Sequence, residues 1–470
     1  MLSIYNTLSN KKETFERPKK GQIKLFVCGP TVYDKTHIGH ARTYIFFDVV
    51  KRYLSHLSYK VIYLQNITDV HDKITERANQ ERVKPLVIAR RYEKYYFAAM
   101  KKLNVASVTK YARATNYIPE IIKQITILLS KGNAYIIQND GIYFDLKSFP
   151  EYGKLSRRTT EQAEDAISRI DESVSKRNKG DFCLWKFYSG EISEPFWETK
   201  LGKGRPGWHI EDTAITEKNF GPQYDIHGGG VDLKFPHHEA EIAQQESASG
   251  KKPFVQIWMH TGALLVDGKK MSKSLGNFIT VEDFLKTYSP QVLKLLVLKN
   301  HYRSPIDYSD RIAKEALIEW DNILQFLAKL NFVKKINKVS KTLSSDIETL
   351  LTKFYAEFNG AMQDDFNTSK AISSFHLIIN EFQKRIYSLN IKEIKFIEQR
   401  VVNNLNLLGL EVKLPKIPAK IAILGKKREL MRSNKQFIQS DDLRKEMDTL
   451  GYTIEDTPLG SFLWPQKTSK

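Results

Sequence analysis

The stretch FVCGPTVYDKTHIGHARTYIFF, Phe26 to Phe47, decides how the chain is read. It starts at the end of an apolar, β-type run, IKLFVCG, and turns through Gly29-Pro30. It then sets His37 and His40 at the start of a helical pattern in which Ile38, Ala41, Ile45 and Val49 recur at helical spacing. The next apolar run, YKVIYLQNITD, completes a β-α-β unit. Sheets wound this way bind ligands beyond the carboxyl ends of their strands, which is where the first loop and the helix start fall. A helix start presents unpaired N–H groups and a positive dipole end, both suited to phosphate, and His37 and His40 add donors on that side. Gly39 between them leaves room for a flat ligand. Taken alone, two histidines in a first helical turn are more often solvated than functional.

Outward from this unit, residues from about 110 to 205 mix helices, short strands and the charged stretch SRIDESVSKRNKGDF, as an insertion would. A strand pattern returns with YDIHGGG, followed by a helix in HHEAEIAQQESA, a strand pair in VQIWMHTGALLVDG and a glycine-bounded basic loop in GKKMSKSLGN. From Val281 the pattern is almost wholly helical, with IAKEALIEWDNILQFLAKLNFV and SKAISSFHLIINEFQKRIYSL spaced like bundle helices. VKLPKIPAKI reads as a linker to a small terminal module.

A chain of 470 residues exceeds one hydrophobic core and implies two to four domains. With 41 % hydrophobic and 27 % charged residues, the composition excludes a disordered or fibrous protein. No apolar run approaches the roughly 20 residues of a membrane span, and the first residues lack an apolar signal core, so a cytoplasmic location is expected. Cys28 and Cys183 are the only cysteines, which leaves no disulfide framework. The formal charge of +19 suits a polyanionic partner, although a lysine-rich solvated surface would produce the same figure.

The second chemical element is Lys270-Met271-Ser272-Lys273-Ser274 between Gly268 and Gly276. Two lysines on one loop can follow a triphosphate as charge develops on the leaving pyrophosphate. Both elements, in this order on a parallel α/β pattern, resemble the two signatures of class I aminoacyl-tRNA synthetases. FVCGPTVYD, NITDVHDKI, GRPGWHIED, YDIHGGGVDLKFPHHEAEIAQ, GKKMSKSLGNF, MQDDFNTSKAI and QSDDLRKEMDTLGYTIEDTPLGSFLW closely resemble the cysteinyl-tRNA synthetase family over nearly the whole length.

The resemblance implies a Rossmann-type α/β catalytic domain (residues 1–110 and 205–310) with an insertion for the tRNA acceptor end (111–204). A helical anticodon-binding bundle (311–415) and a small terminal anticodon module (422–470) would follow. It implies formation of cysteinyl-adenylate from cysteine and ATP, with Mg2+, and transfer of cysteine to its tRNA by a monomer. His37, His40, Lys270 and Lys273 would be catalytic. Gly29, Thr31, Gly39, Gly229 and Asp232 would join His37, His40 and Lys273 around ATP, and Cys28, Thr68, Trp208 and His209 would face cysteine.

In this family a zinc ion recognises the substrate thiolate. Carried over by position, its ligands are Cys28, Asp212, His237 and Glu241, the last two spaced i, i+4. Asp212 departs from the pattern, since GWHIEDTAI puts aspartate where the family usually has a second cysteine. The donors' total charge of minus three is kept, but a carboxylate is a harder ligand than a thiolate, which bears on thiol affinity and selectivity. His71 is a second departure, standing where aspartate is frequent, and Cys183 reads as a small core residue. Two other readings remain at this point. A cysteine ligase of the mycothiol-pathway type would make little use of the helical tail. An inactive tRNA-binding paralogue would have no need of His37, His40, Lys270 and Lys273.

Overall fold

The computed structural model describes residues 1–16, 21–158, 172–191, 193–271, 276–337 and 342–466; Lys273 lies outside them. The chain divides into two compact units. The first comprises Met1–Glu282, Tyr302–Asp307 and Asp364–Phe366. The second comprises Asp283–His301, Tyr308–Gln363 and Asn367–Lys470.

The first unit opens with a hairpin, β1 (Ser3–Asn6) and β2 (Lys11–Thr14), paired antiparallel. β3 (Gln22–Val27), helix α1 (Ile38–His56) and β4 (Lys60–Ile67) form the β-α-β unit expected from the periodicity. Helices α2 (Asp72–Glu81) and α3 (Pro85–Lys102) return the chain to β5 (Lys110–Arg113). There the chain leaves the parallel sheet. After α4 (Ile118–Ser130) come four antiparallel strands, β6 (Ala134–Ile137), β7 (Gly141–Phe144), β8 (Phe182–Phe187) and β9 (Gly204–Pro206). Cys183 is buried in β8 against Tyr135 and Tyr143, as a small core residue would be.

Helix α5 (Ile210–Phe220) leads back to β10 (Tyr224–Gly230), and α6 (Glu239–Ser249) connects that strand to β11 (Val255–Thr261). The resulting five-stranded parallel sheet has the order β11-β10-β3-β4-β5. The chain proceeds from β3 outward to β4 on one side and later from β10 outward to β11 on the other. The crevice between the ends of β3 and β10 is therefore a switch point, the place where a doubly wound sheet binds ligands.

Packing fixes this crevice. Leu25, Phe26 and Val27 of β3 and Ile226 of β10 are fully buried. α1 buries Ile38, Ala41, Ile45 and Val49 and also aromatic residues from other faces, including Tyr44, Phe46 and Phe47. A side chain at Gly228 would have its Cβ 2.2 Å from the Phe47 ring, so glycine there is what lets the helix lie on the strand. The buried Arg42 guanidinium donates to the carbonyls of Ala263 (2.6 Å), Tyr302 (3.0 Å) and Ser304, tying the segments beyond β11 to α1.

The second unit includes helices Asp310–Ile336, Ser345–Gln363, Thr368–Gln383, Ile391–Leu407, Ala419–Ser433 and Phe437–Thr449. It departs from the helical expectation at its end, where Tyr452–Thr457 and Gly460–Pro465 form a hairpin. Ile454, Phe462 and Trp464 alternate inward there, and Gly451 and Gly460 adopt positive φ of 79° and 111°.

Candidate active site and metal centre

The crevice encloses about 460 Å³. Its lining includes Cys28, Gly29, Thr31, His37, Gly39, His40, Thr68, Trp208, Asp212, Asp232, His237 and Lys270, so twelve of the expected residues share one space. Among the described residues, Gly229, His209 and Glu241 do not line it. Tyr33, Asn66, Lys73 and Gly230 do, and the sequence did not single them out.

One side of the crevice is built on the start of α1. His37 caps the helix, its Nδ1 accepting from the His40 backbone N–H at 3.3 Å, and the two rings lie 3.7 Å apart, tilted by 30°. Burial, then the neighbouring His40 and Lys270, brings the His37 imidazole down to about 2. Burial brings His40 down to about 4, against an upward pull from Asp232. Both rings are thus neutral donors or acceptors at physiological pH. A Cβ on Gly39 would sit 2.7 Å from Met271 Cε and 2.9 Å from His37 Nδ1. Lys270 forms an exposed pair with Asp232, Nζ to Oδ2 at 3.4 Å.

Across the crevice, the turn after β3 is locked to the end of β4. The Gly29 N–H donates to the Asn66 side chain, and a Cβ on Gly29 would lie 1.8 Å from the Asn66 carbonyl oxygen, which leaves glycine as the only residue that fits. Asn66 Nδ2 donates in turn to Thr68 Oγ1 at 3.2 Å, placing the threonine at the wall. Trp208 stacks on His237, with centroids 4.3 Å apart, and its edge meets His71 at 5.7 Å. His209 lies behind this wall, with Nδ1 2.8 Å from His237 Nδ1; it touches the candidate ligand, not the crevice.

Cys28 follows β3, Asp212 stands in the first turn of α5, and Glu241 in the first turns of α6. His237 precedes α6 in a wide turn, Lys234–His238, interrupted by extended Phe235 (φ −142°, ψ 133°). These four residues from separate elements converge, with all donor atoms within 4.8 Å of one another. Asp212 Oδ2 lies 3.4 Å from Cys28 Sγ and 3.0 Å from His237 Nε2, and His237 Nε2 lies 3.2 Å from Glu241 Oε1. Tetrahedral zinc, with bonds of 2.0–2.3 Å, requires donor separations of about 3.3–3.8 Å, close to this arrangement.

Burial pushes the Cys28 thiol well up, and the charges of Asp212 and Glu241 push it further. Glu241 is likewise raised, by burial and then by Asp212. Asp212 Oδ1 and both Glu241 oxygens accept no hydrogen bond although they are buried. Buried acceptors left without partners cost about 1–3 kcal/mol each. Three buried acids facing one point therefore fit a cation.

Three histidines escaped the sequence reading. His227 in β10 and His238 beside His237 also face Cys28, with Nε2 atoms 3.4 and 3.1 Å from Sγ. His260 in β11 meets His238, Nε2 to Nδ1, at 2.8 Å. Parallel registry, which sets Gly229 beside His260, creates the cluster. The alternation of YDIHGGG and the doublet in PHHE were the only signals.

Residues 14–317 match the family model for the class I (C) tRNA synthetase catalytic domain, and residues 357–413 match the DALR domain. The cysteine–tRNA ligase of Caldicellulosiruptor saccharolyticus is 39 % identical over 98 % of this chain and 99 % of its own. That of Thermoplasma volcanium is 41 % identical over 96 % of this chain and 97 % of its own. Among solved structures, Mycobacterium tuberculosis methionyl-tRNA synthetase in complex with methionyl-adenylate superposes with a TM-score of 0.60 at 14 % identity, covering 83 % of this chain and 90 % of its own. That likeness shows the fold.

Proposed function

The chain belongs to the cysteine–tRNA ligase family of class I synthetases, and from that premise we propose that its crevice joins L-cysteine to ATP and then to tRNA. The cysteine carboxylate attacks the α-phosphate of ATP, forming cysteinyl-adenylate and expelling pyrophosphate. A terminal ribose hydroxyl of the tRNA for cysteine then attacks the acyl carbon, expelling AMP. The observation that carries this reading is the single crevice lined by both the thiol-facing residues and the phosphate-facing pair His37 and His40.

His37, His40 and the start of α1 hold the phosphates by neutral hydrogen bonding and dipole. Lys270 and Lys273, with Mg2+ carried by ATP, balance charge on the departing pyrophosphate. Gly29, Thr31, Gly39 and Asp232 surround the nucleotide, and Thr68 and Trp208 shape the amino-acid side. Cys28, Asp212, His237 and Glu241 would hold one zinc ion, which when bound offers a thiolate a far better partner than it offers a hydroxyl. His209 keeps the His237 ring oriented. No protein general base is required, because positioning and charge supply the rate.

The insertion (111–204) would take the acceptor end, and the helical bundle (311–415) and terminal module (422–470) the anticodon. The charge of +19 supports a polyanionic partner, and the DALR match supports tRNA over a small amine. We assign the protein to the cytoplasm as a monomer; no helix among the described residues is long and apolar enough to cross a membrane.

Amino-acid-dependent exchange of pyrophosphate into ATP, followed by charging of tRNA, tests the whole scheme. Exchange with cysteine and not serine is expected, together with charging that weakens steeply as salt rises. Exchange without tRNA charging would return the small-amine ligase, and no exchange with any amino acid the inactive paralogue.

A further inference from the structure

The donors around Cys28 form more than one complete set. Cys28 and Glu241 also group with His227 and His238, again with every donor atom within 4.8 Å, and all four side chains are buried. Resting on the zinc reading above, we propose that His227 and His238 complete a second seat for the same ion, one that needs nothing from Asp212.

The geometry of the second set resembles that of a metal site at each histidine. His227 turns Nε2 toward Cys28 Sγ at 3.4 Å, while its Nδ1 is held 2.7 Å from the Tyr224 hydroxyl. His238 turns Nε2 toward the same sulfur at 3.1 Å, while its Nδ1 meets His260, which is anchored in turn 3.0 Å from Thr7 Oγ1. Metal-binding imidazoles are held in this way, one nitrogen on the ion and the other fixed by an outer partner.

The donor chemistry is also adequate. Two imidazoles, a thiolate and a carboxylate carry minus two, which balances Zn2+, whereas the set containing Asp212 carries minus three. Imidazole is also better suited to zinc than a second carboxylate is. The two seats differ in exposure, since Cys28, Asp212 and His237 line the crevice whereas His227 and His238 do not. An ion in the deeper seat is therefore withdrawn from an incoming substrate thiol. Asp212 acts as the residue that draws the ion forward, and the histidine pair as the reserve that keeps it in the protein.

The test is Asp212→Asn in the full chain, loaded with Zn2+ for metal analysis and with Co2+ for absorption spectroscopy. The variant should retain about one ion per chain and its sulfur-to-cobalt charge-transfer band. Added cysteine should perturb the cobalt spectrum of the unaltered protein and leave that of the variant unchanged. Adding His227→Gln and His238→Gln to Asp212→Asn should empty the site; if that triple variant does not fold, Asp212→Asn with His238→Gln alone serves. The proposal is overturned if folded Asp212→Asn is as metal-free as Cys28→Ser, or if the triple variant keeps its ion. Metal lost on Asp212→Asn alone leaves the crevice-facing seat standing, whereas an unaltered protein that binds no metal overturns both readings.

Discussion

The two walls of the crevice are built on opposite physical terms. Around Cys28 the side chains are almost wholly withdrawn from water, the acids are crowded, and several acceptors have no partner. At the other wall Lys270 and Asp232 are 77 % and 63 % exposed, and their pairing is loose. Selecting a thiol from a hydroxyl is a small chemical distinction, and it needs a desolvated site assembled before the substrate arrives. Stabilising a departing pyrophosphate requires charge that can follow a moving group, and a long, solvated lysine side chain meets that need. One wall is a fixed gauge and the other an adjustable counterweight.

The sharpest break between the walls is expected from Cys28→Ser. Loss of the thiolate should remove the metal and lower cysteine-dependent exchange by about a thousandfold or more, while ATP binding at the far wall is kept. Metal analysis beside exchange kinetics checks this. Full metal content in a folded Cys28→Ser protein would dissolve the distinction. Lys270→Ala should do the reverse, slowing adenylate formation by about 10- to 100-fold with metal content and cysteine selectivity intact. A variant that instead lost selectivity for cysteine would show the walls to be one coupled unit.

Smaller effects sharpen the contrast within each wall. Asp212→Cys keeps ligand number and charge, so metal should be retained and exchange should stay within about tenfold of native, with a stronger sulfur-to-cobalt band. At the other wall burial, which penalises the charged form, brings His40 down to about 4. Lowering pH from 8 to 6 therefore leaves it neutral, and only a fall toward 4 would protonate it. The ratio of native to His40→Asn exchange rates, which cancels titration of the substrates, should stay within about twofold from pH 8 to pH 6. A step in that ratio near pH 6.5 would mean a solvated, ordinary imidazole.

How much of this was legible in the chain follows from which contacts are local. The β3-α1-β4 unit and the helix start at His37 rest on spacing within some forty residues, and periodicity revealed them; the cap that His37 forms was seen only in the structure. Recognition of Cys28, Asp212, His237 and Glu241 depended on likeness to a family, because no local pattern joins β3 to α5 and α6. His227 and His238 stayed hidden for the same reason: the register of β10 against β3, Gly228 beside Val27, brings His227 to Cys28, and the turn before α6 brings His238. The terminal hairpin was missed because the charges in YTIEDT obscure a two-residue alternation whose inward members are Ile454, Phe462 and Trp464.

The convergence of Cys28 with Asp212, His237 and Glu241 sets a timetable for the molecule's birth. About 210 residues separate the thiol from its last partner, Glu241, in the chain. At the usual 5–20 residues per second, a ribosome needs roughly ten to forty seconds to supply that partner. For most of that interval, until Asp212 is made, the sulfur has none of the other three donors, and an ion captured by Cys28 alone would be held weakly. On the proposed zinc reading, metal uptake comes late in synthesis, once Glu241 is available, and a shortage of zinc would strand nascent chains with an unguarded thiol.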